Sequence, residues 1–190
     1  MPSKTQILKE VKKNCMKGFP IPKSLETLWD CYLNEDSFLK QVGFSNIELV
    51  SELDNKLFKD YTASKCGDKA LANAYTAMFD QIAFFGKENE GELLGLWLYG
   101  YNITPENAPM IYIDVDGKFS VFESIPDYLF WDVYYSGHED NKQLLLDWFK
   151  QNKILFNKTI KQVEKDVKKI INPETIFNEL IRVEKEKLKK

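Results

Sequence analysis

The dipeptide Asp116-Gly117 is the strongest short-range structural signal in this sequence. It separates residues 109–115 from residues 118–123, two segments rich in β-branched and aromatic side chains. An Asp-Gly pair favours a two-residue type I′ turn, because both central residues of that turn need a positive φ. We therefore predict a β-hairpin over residues 109–123. The predicted register pairs Val115 with Lys118, Ile113 with Ser120, and Tyr112 with Val121.

A second apolar segment, residues 92–101, precedes the hairpin and carries apolar side chains on both faces of an extended chain. Its two faces are formed by Leu94, Leu96 and Leu98 and by Leu93, Trp97, Tyr99 and Tyr101. This pattern predicts a central strand covered on both sides, the alternative being a strand with one face left free for a partner. Residues 47–50 and 81–86 add two shorter strands.

Helical signals surround these strands on both sides in the sequence. They comprise a stripe at Leu25, Leu28, Trp29 and Tyr32, an N-cap at Asp68, residues 127–135 and 140–156, and a lysine-rich tail divided at Asn172-Pro173. We predict an α+β fold: a twisted, mainly antiparallel sheet flanked by helices, with an extra C-terminal helical segment. Residues 1–156 would form the domain, and residues 157–190 a helical extension packed on it.

Charge limits the choice of partner. The formal net charge of −3 gives no reason to expect nucleic acid. The charge is unevenly distributed, since residues 1–150 hold 15 basic and 23 acidic side chains, whereas residues 151–190 hold 11 and 6. An acidic body favours a basic protein partner through electrostatic steering. The alternative is that these charges only keep the protein in solution.

Few residues in the sequence could act in catalysis or bind a metal ion. His138 is the single histidine, and no nucleophile motif accompanies it. Asp114 and Asp116 could supply oxygen ligands for calcium or magnesium, but EF-hand spacing is missing and the turn already explains Asp116. We therefore predict no catalytic residue, no metal and no cofactor, and we expect a His138→Ala variant to keep its activity.

Targeting signals are also missing from the sequence. Cys15, Cys31 and Cys66 form no CxxC pair, so neither a zinc site nor a disulfide framework is indicated, and reduced thiols are typical of the cytosol. The first twelve residues are polar and lysine-rich, without the apolar core of a signal peptide. No apolar run approaches the roughly 20 residues that span a bilayer. We predict a cytoplasmic protein without membrane contact.

Five segments between about residues 20 and 135 resemble, in order and spacing, the SUKH superfamily. This superfamily includes fungal cell-wall synthesis regulators and bacterial toxin-immunity proteins. The matching segments are Ile21-Pro22 with Leu25, Leu28 and Trp29; Gly43-Phe44 with Ile47, Glu48 and Leu49; residues 91–97; residues 109–114 with Gly117; and residues 124–130. The resemblance implies an α+β fold that binds proteins, has no enzymatic activity, and in bacteria often neutralises a toxin domain.

Three functions follow as hypotheses: an immunity-type binder of a toxin domain, a regulatory or scaffolding module of the cell-wall synthesis type, and an unrecognised enzyme. For a binder we predict an acidic and aromatic partner surface, with a basic toxin domain as the candidate partner. Glutamates alternate before the central strand and tyrosines, which are enriched in interfaces, follow it. The predicted partner-binding residues are Glu88, Glu90, Glu92, Tyr99 and Tyr101. The alternative is a solvated loop next to core aromatics, and the oligomeric state is left open.

Overall fold

The computed structural model describes residues 22–33, 48–49, 67–87, 91–99, 103, 107–135 and 139–189. The helices and strands of these residues, in chain order, are α1 Lys23–Leu33, β1 Glu48–Leu49, α2 Lys69–Phe79, β2 Ile82–Lys87, β3 Leu93–Trp97, β4 Met110–Ile113, β5 Phe119–Phe122, α3 Ile125–Tyr135, α4 Glu139–Gln151, α5 Ile160–Val167 and α6 Pro173–Lys187.

The strands form one five-stranded sheet whose spatial order follows the chain, β1 to β5. Every pair of neighbouring strands is antiparallel, which confirms the predicted α+β fold. The β2–β3 pairing shifts register between Phe84 and Gly86. Opposite this irregularity, a Cβ added to Gly95 would collide with Cγ2 of Ile82. Glycine at this position therefore allows the two central strands to approach each other closely.

Each face of the sheet has its own hydrophobic core. One core joins Leu94 and Leu96 of β3 to helices α1, α3 and α4 and to Val163 of α5. The other joins Leu93 and Trp97 to α2 and to Phe177 of α6. All five residues of β3 are buried, which confirms a central strand with both faces covered. The strand ends at Trp97, short of the predicted residue 101, and Tyr101 lies outside the described residues.

Two of the predicted helix starts are confirmed by their caps. The side chain of Asp68 accepts a hydrogen bond from the backbone N–H of Ala70 at 2.8 Å, at the start of α2. The side chain of Asn172 accepts from Glu174 N at 2.9 Å, and Pro173 is the first residue of α6. Both caps satisfy backbone donors that the first helical turn leaves free.

The predicted turn and register of the hairpin are wrong. The observed pairs are Ile111 with Val121 and Ile113 with Phe119, one residue away from the predicted register. The loop has three residues, because Asp114 N bonds to Lys118 O at 3.1 Å and Gly117 takes a positive φ of 80°. This is a turn followed by a left-handed glycine, the geometry usual for a three-residue hairpin loop.

The shift in register has a simple physical cause. The observed register places four apolar side chains together on the face covered by α2 and α6: Ile111, Ile113, Phe119 and Val121. The predicted register would place the buried Ile113 opposite the exposed Ser120. Because residues directly opposite each other share a face of the sheet, burial of one face selects the observed register. Asp114 stabilises the loop, since its Oδ1 accepts from Asp116 N and Lys118 N, both at 2.9 Å.

The predicted helix over residues 140–156 is too long, since α4 ends at Gln151. Lys153 adopts a φ of 57°, and Ile154 N bonds back to Phe149 O at 2.8 Å. A left-handed residue followed by such a backward bond terminates a helix, and glycine usually occupies the position. The chain then runs without regular secondary structure until α5 begins at Ile160.

Candidate partner-binding surface

The structure describes two of the five residues predicted to bind a partner. Glu92 lies directly before β3 and Tyr99 lies two residues after it, both half-buried. Seven residues of extended chain separate them by about 23 Å, so they do not form one compact site. The ring of Tyr99 stacks on Trp97, with centroids 5.3 Å apart and planes 15° apart. Glu88, Glu90 and Tyr101, and also His138, lie outside the described residues.

A cluster of charged side chains attaches the segment after α4 to the start of α3. Lys158 Nζ lies 2.9 Å from Asp127 Oδ1 and 3.2 Å from Asp166 Oδ2, and it also bonds to Glu123. Asp127 is 2% exposed, and its Oδ2 accepts a hydrogen bond from the Ser124 hydroxyl. Asp127 Oδ1 has no hydrogen bond of regular geometry, so its short contact with the ammonium is an ion pair.

The proton affinities in this cluster follow from its contacts. Burial of the ammonium acts to lower the pKa of Lys158, but the hydrogen bond to Glu123 and the close contacts with the Asp127 and Asp166 carboxylates outweigh it and raise that pKa. Hydrogen bonds from Lys169 and from Lys158 hold the pKa of Asp166 below its ordinary value. Lys158 and Asp166 are therefore both charged over the physiological pH range. The cluster stabilises the path of the chain and leaves no free acid or base for chemistry.

Residues 154–158, which we call the strap, cross the helices of the first core in an extended form. Burial alternates along the strap, with Ile154, Phe156 and Lys158 half-buried and Leu155 and Asn157 exposed. A period of two is the signature of an extended chain. Leu155 is 99% exposed, the highest value among the exposed large apolar side chains of the described residues.

Aromatic rings connect the strap to the end of α3. Phe156 packs between Phe130 and Phe149, with centroid distances of 4.8 and 5.2 Å. Phe130 in turn contacts Tyr134, one helical turn further on, at 6.4 Å. Tyr134 and Tyr135 are exposed at that end of α3. Two exposed tyrosines therefore lie beside the strap on the same outer side of the domain.

Helix α5 borders the same area with a row of lysines. Lys161, Lys165 and Lys168 are exposed and follow the i, i+4, i+7 spacing of one helix face. None of the three forms an ion pair with another described residue. Tyr135 donates a hydrogen bond to Glu164, which raises the pKa of Tyr135 and joins α3 to α5. We define the strap surface as Tyr134, Tyr135 and Leu155, which are linked through the ring contacts of Phe130 with Phe156 and Tyr134.

A cleft of about 420 Å³ lies between α1 and the end of α4, directly before the strap. Its lining is polar and includes Lys23, Asp30 and Lys153, together with the buried thiol of Cys31. Lys23 is already paired with Glu26 at 3.3 Å. The lining combines one carboxylate, that of Asp30, with the thiol of Cys31, the hydroxyl of Thr27 and two lysine amines.

The side chains that could hold a metal ion are dispersed over the described residues. Within these parts of the chain, no three His, Cys, Asp or Glu side chains are arranged to hold a metal ion. Asp114, considered above as an oxygen ligand, uses Oδ1 to accept two backbone bonds of the hairpin loop. None of the described helices is both long and apolar enough to cross a membrane.

The sequence contained two signals for the strap that a search for helical periodicity does not use. Thr159 and Gln162 form a capping box, in which each side chain accepts from the other's backbone, and this fixes the start of α5. Ile154-Leu155-Phe156 is a run of three consecutive apolar residues, which does not match the spaced stripe of an amphipathic helix. The partners of Lys158 lie 8 to 35 residues away along the chain, so sequence spacing could not identify them.

Comparison of the chain with protein-family models, with curated proteins and with solved structures gives no match.

Proposed function

We propose that this chain is a non-enzymatic, cytoplasmic protein-binding module, most specifically an immunity-type protein that binds and neutralises a toxin domain. The strap surface carries the proposal. It combines a fully exposed leucine with two exposed tyrosines on a scaffold with a core on each face of the sheet. Tyrosine is enriched among the residues that dominate binding energy at interfaces, so the two tyrosines are the candidate anchors, and Leu155 adds apolar area that a partner could bury.

The immunity role rests on two properties of the sequence. One is the resemblance to the SUKH superfamily over about residues 20–135. The other is the acidic body, with 23 acidic and 15 basic side chains in residues 1–150. Such a charge favours a basic toxin domain, because steering raises the association rate about 10- to 1,000-fold at low salt. In this proposal Glu88, Glu90, Glu92, Tyr99 and Tyr101 contact that domain.

The regulatory or scaffolding alternative would use the same surfaces and differs in the consequence of binding. Neutralisation requires that the bound toxin lose its activity, whereas a scaffold leaves its partner active. A functional assay therefore separates the two hypotheses, and a binding assay alone does not.

The test pairs this chain with a basic toxin domain encoded beside it in the genome. We expect co-expression to protect cells, and we expect the purified proteins to form a complex whose association slows as salt rises. A Glu88→Lys/Glu90→Lys variant should associate more slowly, with little change in stability. Glu179→Lys, on the exposed face of α6, is the matched control. A chain that neither protects cells nor binds such a domain contradicts the proposal.

A further inference from the structure

We infer that the cleft between α1 and the end of α4 binds a small hydroxylated anion, a sugar phosphate or a sugar acid, and that Lys153 holds its charged end. The inference goes beyond the proposed function and does not depend on it. Two independent observations carry it: the chemistry of the groups that line the cleft, and the backbone conformation of Lys153.

The cleft has the size and the depth of a site for a small molecule. Its volume of about 420 Å³ falls within the range of about 300–1,000 Å³ that is usual for such sites. Among the lining residues, Thr27 and Cys31 are buried, whereas Lys23 and Lys153 are exposed. The buried pair forms the floor and the lysines lie at the rim, so a ligand can enter from the solvent.

The charged groups of the lining favour an anion. Lys23 and Lys153 contribute two ammonium groups against one carboxylate, that of Asp30. Lys23 is paired with Glu26 at 3.3 Å, but these side chains are 77% and 46% exposed, so the pair is weak. Lys153 forms no ion pair with any other residue that the structure describes. Its ammonium is therefore available to a phosphate or carboxylate group.

The neutral groups of the lining favour hydroxyls on the ligand. The Thr27 hydroxyl donates to the backbone carbonyl of Lys23 at 2.9 Å, so its oxygen can only accept a further bond. The Asn152 amide donates through Nδ2 to Trp148 O at 3.0 Å, which leaves Oδ1 as an acceptor. With Asp30, three acceptors line the same cleft as the two ammonium groups. Ligand hydroxyls donate to these acceptors while the anionic end contacts the ammonium groups.

The backbone of Lys153 indicates that its side chain has a role. Its φ of 57° is the only positive φ of a non-glycine residue in the described parts of the chain. Glycine usually occupies this position after a helix, because a Cβ strains the left-handed conformation. Strained residues of this kind cluster at binding sites. Lys150 already places a cation in the last turn of α4, so the helix dipole does not require Lys153.

The experiment measures four probes by NMR titration of the isotope-labelled full chain at about 50 mM salt, where charges are weakly screened. Glucose 6-phosphate and gluconate both combine hydroxyls with an anionic end, and the tighter of the two identifies the anionic group. Glucose and inorganic phosphate each carry half of this chemistry and should bind about tenfold more weakly than that probe. The inference is overturned if neither combined probe binds, or if glucose or phosphate alone binds as tightly.

Variants of Lys153 locate the site without relying on a loss that misfolding could cause. Lys153→Gly should raise the melting temperature, because it relieves the strained backbone, and yet weaken binding of the tighter probe by about tenfold. Lys153→Arg keeps the charge and should bind within about twofold of the unmodified protein. Lys150→Gln, which removes an exposed cation outside the lining, should leave binding unchanged.

Thr27→Val tests the floor of the cleft. Valine has the shape of threonine but accepts no hydrogen bond, so binding should weaken by about fivefold. Thr76→Val on α2 is the control, because the Thr76 hydroxyl donates to Ala72 O at 3.0 Å in the same i−4 arrangement, outside the lining. A Lys153→Gly variant that binds the probe normally, or a Thr27→Val variant that binds like Thr76→Val, overturns the inference and leaves the proposed function intact.

Discussion

Replacing Lys158 with methionine should test whether the charged cluster attaches the strap and α5 to the domain. The substitution keeps most of the side-chain volume and removes the ammonium that lies 2.9 Å from Asp127 Oδ1. Asp127 is 2% exposed and keeps only the hydroxyl of Ser124 as a neutralising contact, so a buried carboxylate loses its counter-ion.

Breaking a buried ion pair at one partner costs about 3–5 kcal/mol. Lys158 is 24% exposed, which allows water to reach the site, so we expect the lower end, about 3 kcal/mol. For a chain of this length, that loss lowers the melting temperature by about 6–12 °C. Urea denaturation and a thermal melt, both at about pH 7, measure it.

The pH dependence provides an independent check. In the unmodified protein, the lowered pKa of Asp166 means that its contribution to stability is lost as the pH falls through its folded-state pKa. The raised pKa of Lys158 means that its contribution is lost as the pH rises through its folded-state pKa. The cluster thus stabilises the fold between these limits.

Lys161→Met is the control, because Lys161 is exposed on the next helix and forms no ion pair with a described residue. Adding Asp127→Asn to Lys158→Met should recover part of the loss, since it removes the unpaired carboxylate. A Lys158→Met variant as stable as Lys161→Met at about pH 7, or a double variant no more stable than the single one, would refute the reasoning.

Three further substitutions probe the fold. Lys153→Gly should stabilise the protein by about 0.5–1 kcal/mol in thermal melts, because glycine takes the left-handed conformation without strain, whereas Lys150→Gly inside α4 should destabilise it. In urea denaturation, Gly117→Ala should lower the free energy of unfolding more than Gly91→Ala does. Both glycines have a positive φ, but a Cβ at Gly117 would lie 2.5 Å from the Tyr75 hydroxyl oxygen, whereas a Cβ at Gly91 has no neighbour within 4 Å. Equal losses would mean that Tyr75 moves freely. Phe177→Ala should lower the free energy of unfolding by about 3–5 kcal/mol, because the buried ring lies 4.4 Å from the ring of Tyr75 and 5.2 Å from that of Phe119. A truncation after Phe156 should lower the melting temperature further. Retention of the melting temperature by both would show that residues 157–190 are not part of the core.

The faces of the sheet were predictable because side chains alternate strictly along a strand. Leu94 and Leu96 lie in one core and Leu93 and Trp97 in the other, as the sequence indicates. The predicted register of the hairpin was wrong by one residue, because Asp-Gly suits both a two-residue turn and the left-handed position of a three-residue loop. Matching the buried faces of Ile111 and Ile113 to Phe119 and Val121 would have identified the register.

The partner surface was harder to predict, because it depends on contacts between distant segments. The strap is extended since Phe156 inserts between α3 and α4 and Lys158 pairs with carboxylates on three different segments. Neither contact is indicated by a periodic pattern of residues in the sequence. The predicted residues Glu88, Glu90 and Tyr101 lie outside the described part of the chain, so the acidic and aromatic surface stays a prediction.

The order in which the strands follow one another along the chain has a consequence for biosynthesis. Because each strand pairs with its neighbour in sequence, the sheet can assemble progressively as the ribosome releases it. Neither core is complete when the last strand has been released, because one core includes Val163 and the other includes Phe177, and both residues follow later in the chain. Asp127 likewise stays without its counter-ion until Lys158 emerges. A nascent chain arrested before residue 158 should therefore be a substrate for chaperones and proteases, with both faces of its sheet still partly uncovered.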